Sequence, residues 1–539
     1  MKPSTAWPLV ILSIGVFMAA LDNGIISAAL TTLIDAFDVS ATWGSWSVTI
    51  YTLGMAISIP IIGKMADRYG IKRLLLIEII LFGLGSLLVA ISFSFEMFLI
   101  SRFIQAMGGG GIFVLASAYI IKTLPVERQG KALGMVGAMN GIASVLGPNA
   151  GSFILSIADS WHWLFLINVP IAILLLLAAI RKIQEVALSE SAHLKVDWNG
   201  IILLSLAILS VMYSLTTLEG VDILESLTQP QFLLFFGIGL ILLLLLIIQE
   251  RRVEKKGTID PFLPVALLRI RRYRWLLGLA FLSGAILASV IFIPGYIEQY
   301  LGVSRNLSGY WLTPLALAAG IGSGLGGALV DRRGAIFPLI VAAFFTILGF
   351  ALFPLWVTSL WQMVVASCLV GIGFGMMLGA PINVLATEDA GTEQATALST
   401  SSLFRQVGMT LAPTLYAGFI ARSMMNLGET ITRNMENAGI TGGTASFHPP
   451  DMASANLSSV DMEGIREAFV NIPDPTISQA LVTSLEEVVK NGYDGLFTAA
   501  LAVCILMLLA TIILGLIRSQ KQPTTEQKTG DDHGTQTAH

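Results

Sequence analysis

Asp22 is the residue whose position asks for a chemical explanation first. It follows Met18-Ala19-Ala20-Leu21 inside a long apolar run, where a charge at membrane depth costs about 2.5–3.5 kcal/mol on insertion scales. A residue kept at that cost usually faces a cavity and works, and a carboxyl shielded from bulk water suits a group that must load and release a proton. The alternative is a structural acid bonded to a neighbouring helix. Arg102, early in a later apolar run, keeps its charge under all conditions. Glu298 closes another run between Tyr296 and Tyr300; it holds a proton or a cationic substrate at the outer mouth, or sits in the wet interface. Glu78 follows Arg73 by five residues, a rise of about 7.5 Å, which places its carboxylate within snorkelling distance of the interface. Arg405 reads as structural.

Two loops share a pattern. Gly63-Lys-Met-Ala-Asp67-Arg68-Tyr-Gly70 and Gly327-Ala-Leu-Val-Asp331-Arg332-Arg333-Gly334 carry Gly, Asp and Gly at identical spacings. Gly63 and Gly70 allow a tight turn, and Asp67 or Asp331 can accept hydrogen bonds from free N–H groups at a helix terminus. Gly147-Pro148 releases a backbone carbonyl and bends its helix, while Gly137, Gly141 and Gly151 permit close helix approach. Trp46, Tyr51, Tyr296, Tyr310, Trp311 and the Met376-Met377 pair offer an aromatic and thioether lining for amphipathic cations; interface anchoring and core packing are their other uses.

These residues must be positioned by membrane helices. Of 539 residues 55% are hydrophobic and 12% charged, with a mean hydropathy of +0.78, whereas soluble domains carry roughly 25% charged residues. Apolar runs long enough to span a bilayer lie near 8–33, 44–64, 74–94, 97–119, 132–157, 163–181, 199–217, 231–249, 274–297, 306–329, 336–357, 361–386, 395–421 and 495–517. The first is too long for a signal-peptide core. Basic residues gather in alternate loops, among them Lys64, Lys72, Arg73, Lys122, Lys131, Arg181, Arg251, Arg271 and Arg332. Both termini are therefore expected in the cytoplasm of a multi-pass cell-membrane protein.

The repeated loop after runs two and ten implies an all-α integral membrane fold with fourteen helices. Two six-helix bundles, 1–195 and 257–517, flank two inserted helices in 196–256. Residues 422–494 read as a polar external segment, either a mobile surface loop or a cap over the outer cavity or partner-binding element, in which 458–470 and 476–490 have the pattern of short amphipathic helices; 518–539 reads as a disordered tail.

With the loop at Gly63–Arg73 stand further motifs: Leu99-x-x-Arg102-x-x-Gln105-Ala106-x-Gly108, Leu21-Asp22 with Ala29-Leu30, Trp161-His162-Trp163-x-Phe165-x-x-Asn168-Val169-Pro170, and Arg405-Gln406-Val407-Gly408. Together they resemble the fourteen-helix drug:proton antiporter branch of the major facilitator superfamily over nearly the whole chain. Ala106, Ser152, Asn23-Gly24 and Ser27 depart from its usual residues. The resemblance implies that Arg102 modulates a nearby acid's proton affinity. It implies that Gly63, Asp67, Arg68 and Gly70, with Asp331 in the second half, latch the cytoplasmic side, and that Gly147-Pro148 sets closure of one access state.

The expected activity is proton-coupled efflux of amphipathic, cationic drugs by alternating access, with small molecules, protons and lipid as partners. The runner-up is a dedicated exporter of a lipid, siderophore or metabolite. No phosphate-binding Gly-Lys-Ser/Thr loop, Cys/His metal spacing or nucleophile elbow occurs, which speaks against an enzyme, sensor or ATP-driven pump. No cofactor or metal is implied, a net charge of −4 does not call for nucleic acid, and Cys368 and Cys504 sit in apolar runs as small side chains.

Overall fold

A computed structural model describes residues 3–158, 160–186, 195–218, 223–256, 259–260, 262, 265–438 and 462–517. The inner part of the 422–494 segment and the 518–539 tail lie outside the described residues. Apolar runs of about twenty residues satisfy every backbone group internally as helices, the one open-ended element that lipid tolerates. The helices that form in order are α1 (Pro3–Phe37), α2 (Trp46–Tyr69), α3 (Ile71–Ala90), α4 (Phe95–Gly109, then Ile112–Thr123), α5 (Val126–Ala158) and α6 (His162–Leu166, then Asn168–Lys182). Next come α7 (Trp198–Thr216), α8 (Pro230–Lys256), α9 (Arg271–Val290, then Ile293–Gln299) and α10 (Thr313–Arg333, after a 3₁₀ turn at Gly309–Leu312). The series ends with α11 (Ile336–Trp356), α12 (Leu360–Leu378, then Pro381–Thr387), α13 (Gln394–Met425) and α14 (Pro475–Leu516).

Thirteen helices among the described residues are long and apolar enough to cross a membrane. The fourteenth expected run is α13, which forms at full length but carries too many polar residues to satisfy that criterion. Its Ser399, Thr400, Ser401, Ser402 and Gln406 are buried against other helices, so its polarity faces protein rather than lipid. The expected helix near 476–490 is instead the opening of α14, a continuous 42-residue helix. The short helices Leu427–Asn437 and Met462–Val470 pack on that extension, with ion pairs Arg433–Glu487 at 2.5 Å and Arg466–Glu486 at 2.6 Å.

α5 lies between α1 and α10, and α13 lies on α9 and α2. α7 and α8 pair with each other, and α7 rests on α2 and α13. A two-residue parallel bridge, Lys195–Val196 with Ile259–Asp260, ties the links that flank this pair. Glycine governs the seam between α5 and α10. A Cβ on Gly134 would lie 3.2 Å from the Gly327 Cα, and one on Gly137 would run into Gly379 of α12.

Candidate functional site

Asp22 and Arg102 meet. The Arg102 Nη1 donates to Asp22 Oδ2 at 2.7 Å, with both side chains 0% exposed. Gln105 Nε2 and Asn168 Nδ2 donate to the other oxygen, Oδ1, at 2.9 and 2.8 Å. Gln105 also accepts from Arg102 at 2.7 Å and donates to Ser86 Oγ at 2.7 Å. One buried carboxylate thus draws α1, α3, α4 and α6 together. The helical period explains part of it, because Arg102 and Gln105 stand three apart on one face of α4. Tyr51 of α2 places its ring 4.1 Å from the Arg102 guanidinium and Phe165 places its own at 5.4 Å, which gives the cation a π-face away from water. Tyr51, expected at the substrate, is therefore wholly buried beneath this network.

Gly147-Pro148 lies against the same turn of α1. A Cβ on Gly24 would sit 2.8 Å from the Gly147 Cα and 3.2 Å from Pro148 Cδ. The helix carrying Asp22 is consequently in backbone contact with α5, whose opposite face packs on α10.

Glu78 does not snorkel. Its side chain is 0% exposed, and Oε2 accepts from the Gly111 N–H at 2.8 Å. The cause is the run Gly108–Gly111, which breaks α4 and frees amides at the start of its second piece. Each of these glycines allows a close approach: a Cβ would meet Phe82 at Gly108, the Tyr51 hydroxyl at Gly109, Ser58 at Gly110 and Glu78 at Gly111. Four glycines in an apolar run, opposite an acid in the preceding run, were the available signal for this pairing.

On the face that carries the repeated loops, Asp67 is buried and crosses from α2 to the start of α13. Its Oδ2 accepts from the Thr396 N–H at 2.8 Å and hydroxyl at 2.9 Å, and Oδ1 accepts from the Ala395 N–H at 3.3 Å and Lys122 at 2.8 Å. Lys64 pairs with Glu393 at 2.9 Å beside it. Gly63 has no room for a side chain against Ser399, and Gly70 turns the chain at φ 98°. Arg68 lies over the Tyr69 ring at 5.4 Å, with its Nε and Nη1 unbonded. Asp331 makes the reciprocal crossing from α10: Oδ1 accepts from the Gly130 N–H at 2.7 Å and Oδ2 from the Lys131 N–H at 3.0 Å. Helix N-termini with free N–H groups are anion sites: Asp67 caps the first turn of α13, whereas Asp331 meets N–H groups in the second turn of α5.

Between the bundles lies a cavity of about 90 Å³, smaller than the roughly 300–1,000 Å³ of a drug-sized site. Asn23, Asn140, Ser144, Ser402, Arg405 and Gln406 supply its polar wall. The structure places none of the residues expected to line a substrate site there. Trp46 stacks on Tyr213 of α7 at 5.8 Å. Tyr296 sits among Tyr300, Phe353, Tyr493 and Phe497 at 5.2–5.7 Å, its hydroxyl donating to the Val357 carbonyl at 3.1 Å. Tyr310 is exposed, Trp311 packs on the core from the 3₁₀ turn, and Met377 is buried in the core of α12. Glu298 is half-buried near Tyr493 and does not line the cavity.

A comparison of the sequence with known families matches the Major Facilitator Superfamily over residues 12–413. The chain is 51% identical over 521 residues to the uncharacterized MFS-type transporter YfiU of Bacillus subtilis, covering 97% of this chain and 99% of that protein. It is 28% identical to Multidrug resistance protein 3 of Bacillus subtilis, over 92% of this chain and 95% of that one. The fold matches the proton:xylose symporter XylE with a TM-score of 0.56 at 15% identity, over 78% of this chain and 90% of that chain. Sequence and architecture agree: this multi-pass membrane protein is a transporter and belongs to the Major Facilitator Superfamily.

Proposed function

We propose that the chain is a proton-driven exporter of the drug:proton antiporter type, in which H⁺ enters through Asp22 while an amphipathic compound leaves through the central cavity. The observation that carries this reading is the Asp22–Arg102 pair, a permanent cation beside a proton-accepting carboxylate with no exposure in the state described. Protonation of Asp22 on the outer side cancels the negative partner of Arg102 and weakens three charge-assisted hydrogen bonds at once. α1 is then free to shift against Gly147, and α5 carries the shift to α10. Opening towards the cytoplasm requires the Asp67 and Asp331 crossings to part. Reprotonation and release on opposite sides complete alternating access.

In this reading the bundles 1–195 and 257–517 rock about the cavity, with 196–256 as the inserted pair and both termini cytoplasmic, in keeping with the basic loops. The small cavity corresponds to a contracted state. Cationic cargo finds no support in its wall, which contains no carboxylate. The test is substrate uptake into energised inverted vesicles, where export runs inward. Wild type should lose transport with a protonophore, and Asp22→Asn should lack pH-driven transport altogether; full pH-driven export by Asp22→Asn would remove the proposal. A dedicated exporter differs in breadth, and a panel of unrelated compounds separates the two.

A further inference from the structure

The cavity has a sign. Arg405 lines it from α13, half-buried, and makes no ion pair among the described residues; its recorded neighbour is the Phe113 ring, 5.1 Å from the guanidinium. Its position is fixed by the backbone, since a Cβ on Gly284 of α9 would run into the Arg405 carbonyl and one on Gly408 into the Phe281 carbonyl. The nearby acid of α1 does not neutralise it, because Asp22 is committed to Arg102, Gln105 and Asn168 and does not line the cavity. An arginine cannot shed its charge, and an uncompensated charge at membrane depth is costly. Around it the side-chain amides of Asn23, Asn140 and Gln406, each able to donate and to accept, line the same space and bond to none of the described residues. The remainder of the wall, with Met55, Ile59, Phe113, Leu287 and Met409, is apolar.

We propose that this cavity takes an amphipathic organic anion, with a carboxylate on the Arg405 fork and an apolar body against the Met and Phe wall. A planar guanidinium matches a carboxylate with two parallel hydrogen bonds, and no group in the wall offers the same to an ammonium. The inference rests on the cavity being the transport site. It has a consequence for energetics: export of an anion adds its charge movement to that of the entering protons, so an interior-negative voltage assists the cycle, whereas export of a cation would oppose it.

The experiment uses full-length protein and three probes with one apolar body: 1-naphthylacetate, 1-naphthylacetamide and (1-naphthylmethyl)trimethylammonium. Calorimetric binding should favour the carboxylate. Arg405→Gln should weaken the carboxylate about ten- to hundredfold, the worth of a hydrogen bond to a charged group, and leave the neutral amide unchanged. Arg405→Lys should restore part of the preference. Preference for the ammonium, equal binding of all three, binding of none, or an unchanged carboxylate-to-amide ratio in Arg405→Gln overturns the inference. Reconstituted vesicles keep this separate from the exporter reading: pH-driven transport of the ammonium that depends on Asp22 would sink the anion site alone, and carboxylate binding without any pH-driven transport would sink the exporter alone.

Discussion

The two halves of the molecule fill their centres with different chemistry. In the first, Asp22, Arg102, Gln105, Asn168 and Ser86 are joined by buried polar bonds across four helices. In the second, Tyr296, Phe353, Tyr493 and Phe497 meet as stacked and edge-on rings between α9, α11 and α14. The outer architecture is repeated, down to an aspartate crossing to the opposite half at both loops. The helix packing differs between these two regions, while the Gly-Asp-Gly loops keep the same kind of crossing. The first set is built around an ion pair; the second is built of rings, with the Tyr296 and Tyr493 hydroxyls bonding at its edge.

That contrast can be broken most forcefully at Arg102. Arg102→Leu leaves Asp22 buried without its cation, and loss of one partner from a buried pair costs about 3–5 kcal/mol. A thermal melt in detergent should register this loss. The double variant Asp22→Leu with Arg102→Leu should recover much of the stability, since an apolar pair of similar volume often replaces a buried ion pair without penalty, and should still lack pH-driven transport. Recovery of transport along with stability would erase the distinction between the halves.

Phe497→Ala probes the other centre. It should cost about 3–5 kcal/mol through the cavity it leaves, with the proton dependence of transport per folded molecule unchanged. A shift of that dependence would mean that the aromatic centre takes part in coupling.

The crossings refine the comparison with a smaller effect. Asp67 accepts four bonds and is buried; Asp331 accepts two and is partly exposed. Asp67→Asn should accelerate amide exchange at Ala395 and Thr396 more than Asp331→Asn does at Gly130 and Lys131. Equal or reversed acceleration would show that bond number does not set the strength of the two closures.

How much of this was legible in the sequence depended on the physical signal each residue carried. Asp22 and Arg102 stand out as charges in apolar runs, and the Gly-Asp-Gly loops as a spaced repeat, so the helices and the principal polar residues could be placed in advance. Gln105 and Asn168 were visible in motifs, but a motif does not say that α4 and α6 converge on one oxygen of α1. Ring content alone does not place a residue at the cavity, because an aromatic residue reads alike whether it faces a cavity or a core: Tyr296 packs on Phe497, and Trp46 on Tyr213. Glu78 was judged by its distance from a loop, while the break at Gly108–Gly111 that gives it an N–H partner lies in the next helix. The run at 395–421 was legible as α13, and its buried Ser399, Thr400 and Ser401 mark the face it turns to protein.

Proton release on substrate binding addresses the Asp22 site without the complications of a vesicle. Purified protein in lightly buffered detergent solution, mixed with a transported compound, should release protons to a pH indicator in the wild type and in Asp331→Asn, and should release none in Asp22→Asn that still binds the compound. Undiminished release from Asp22→Asn would place the exchanging proton on another group and contradict the account.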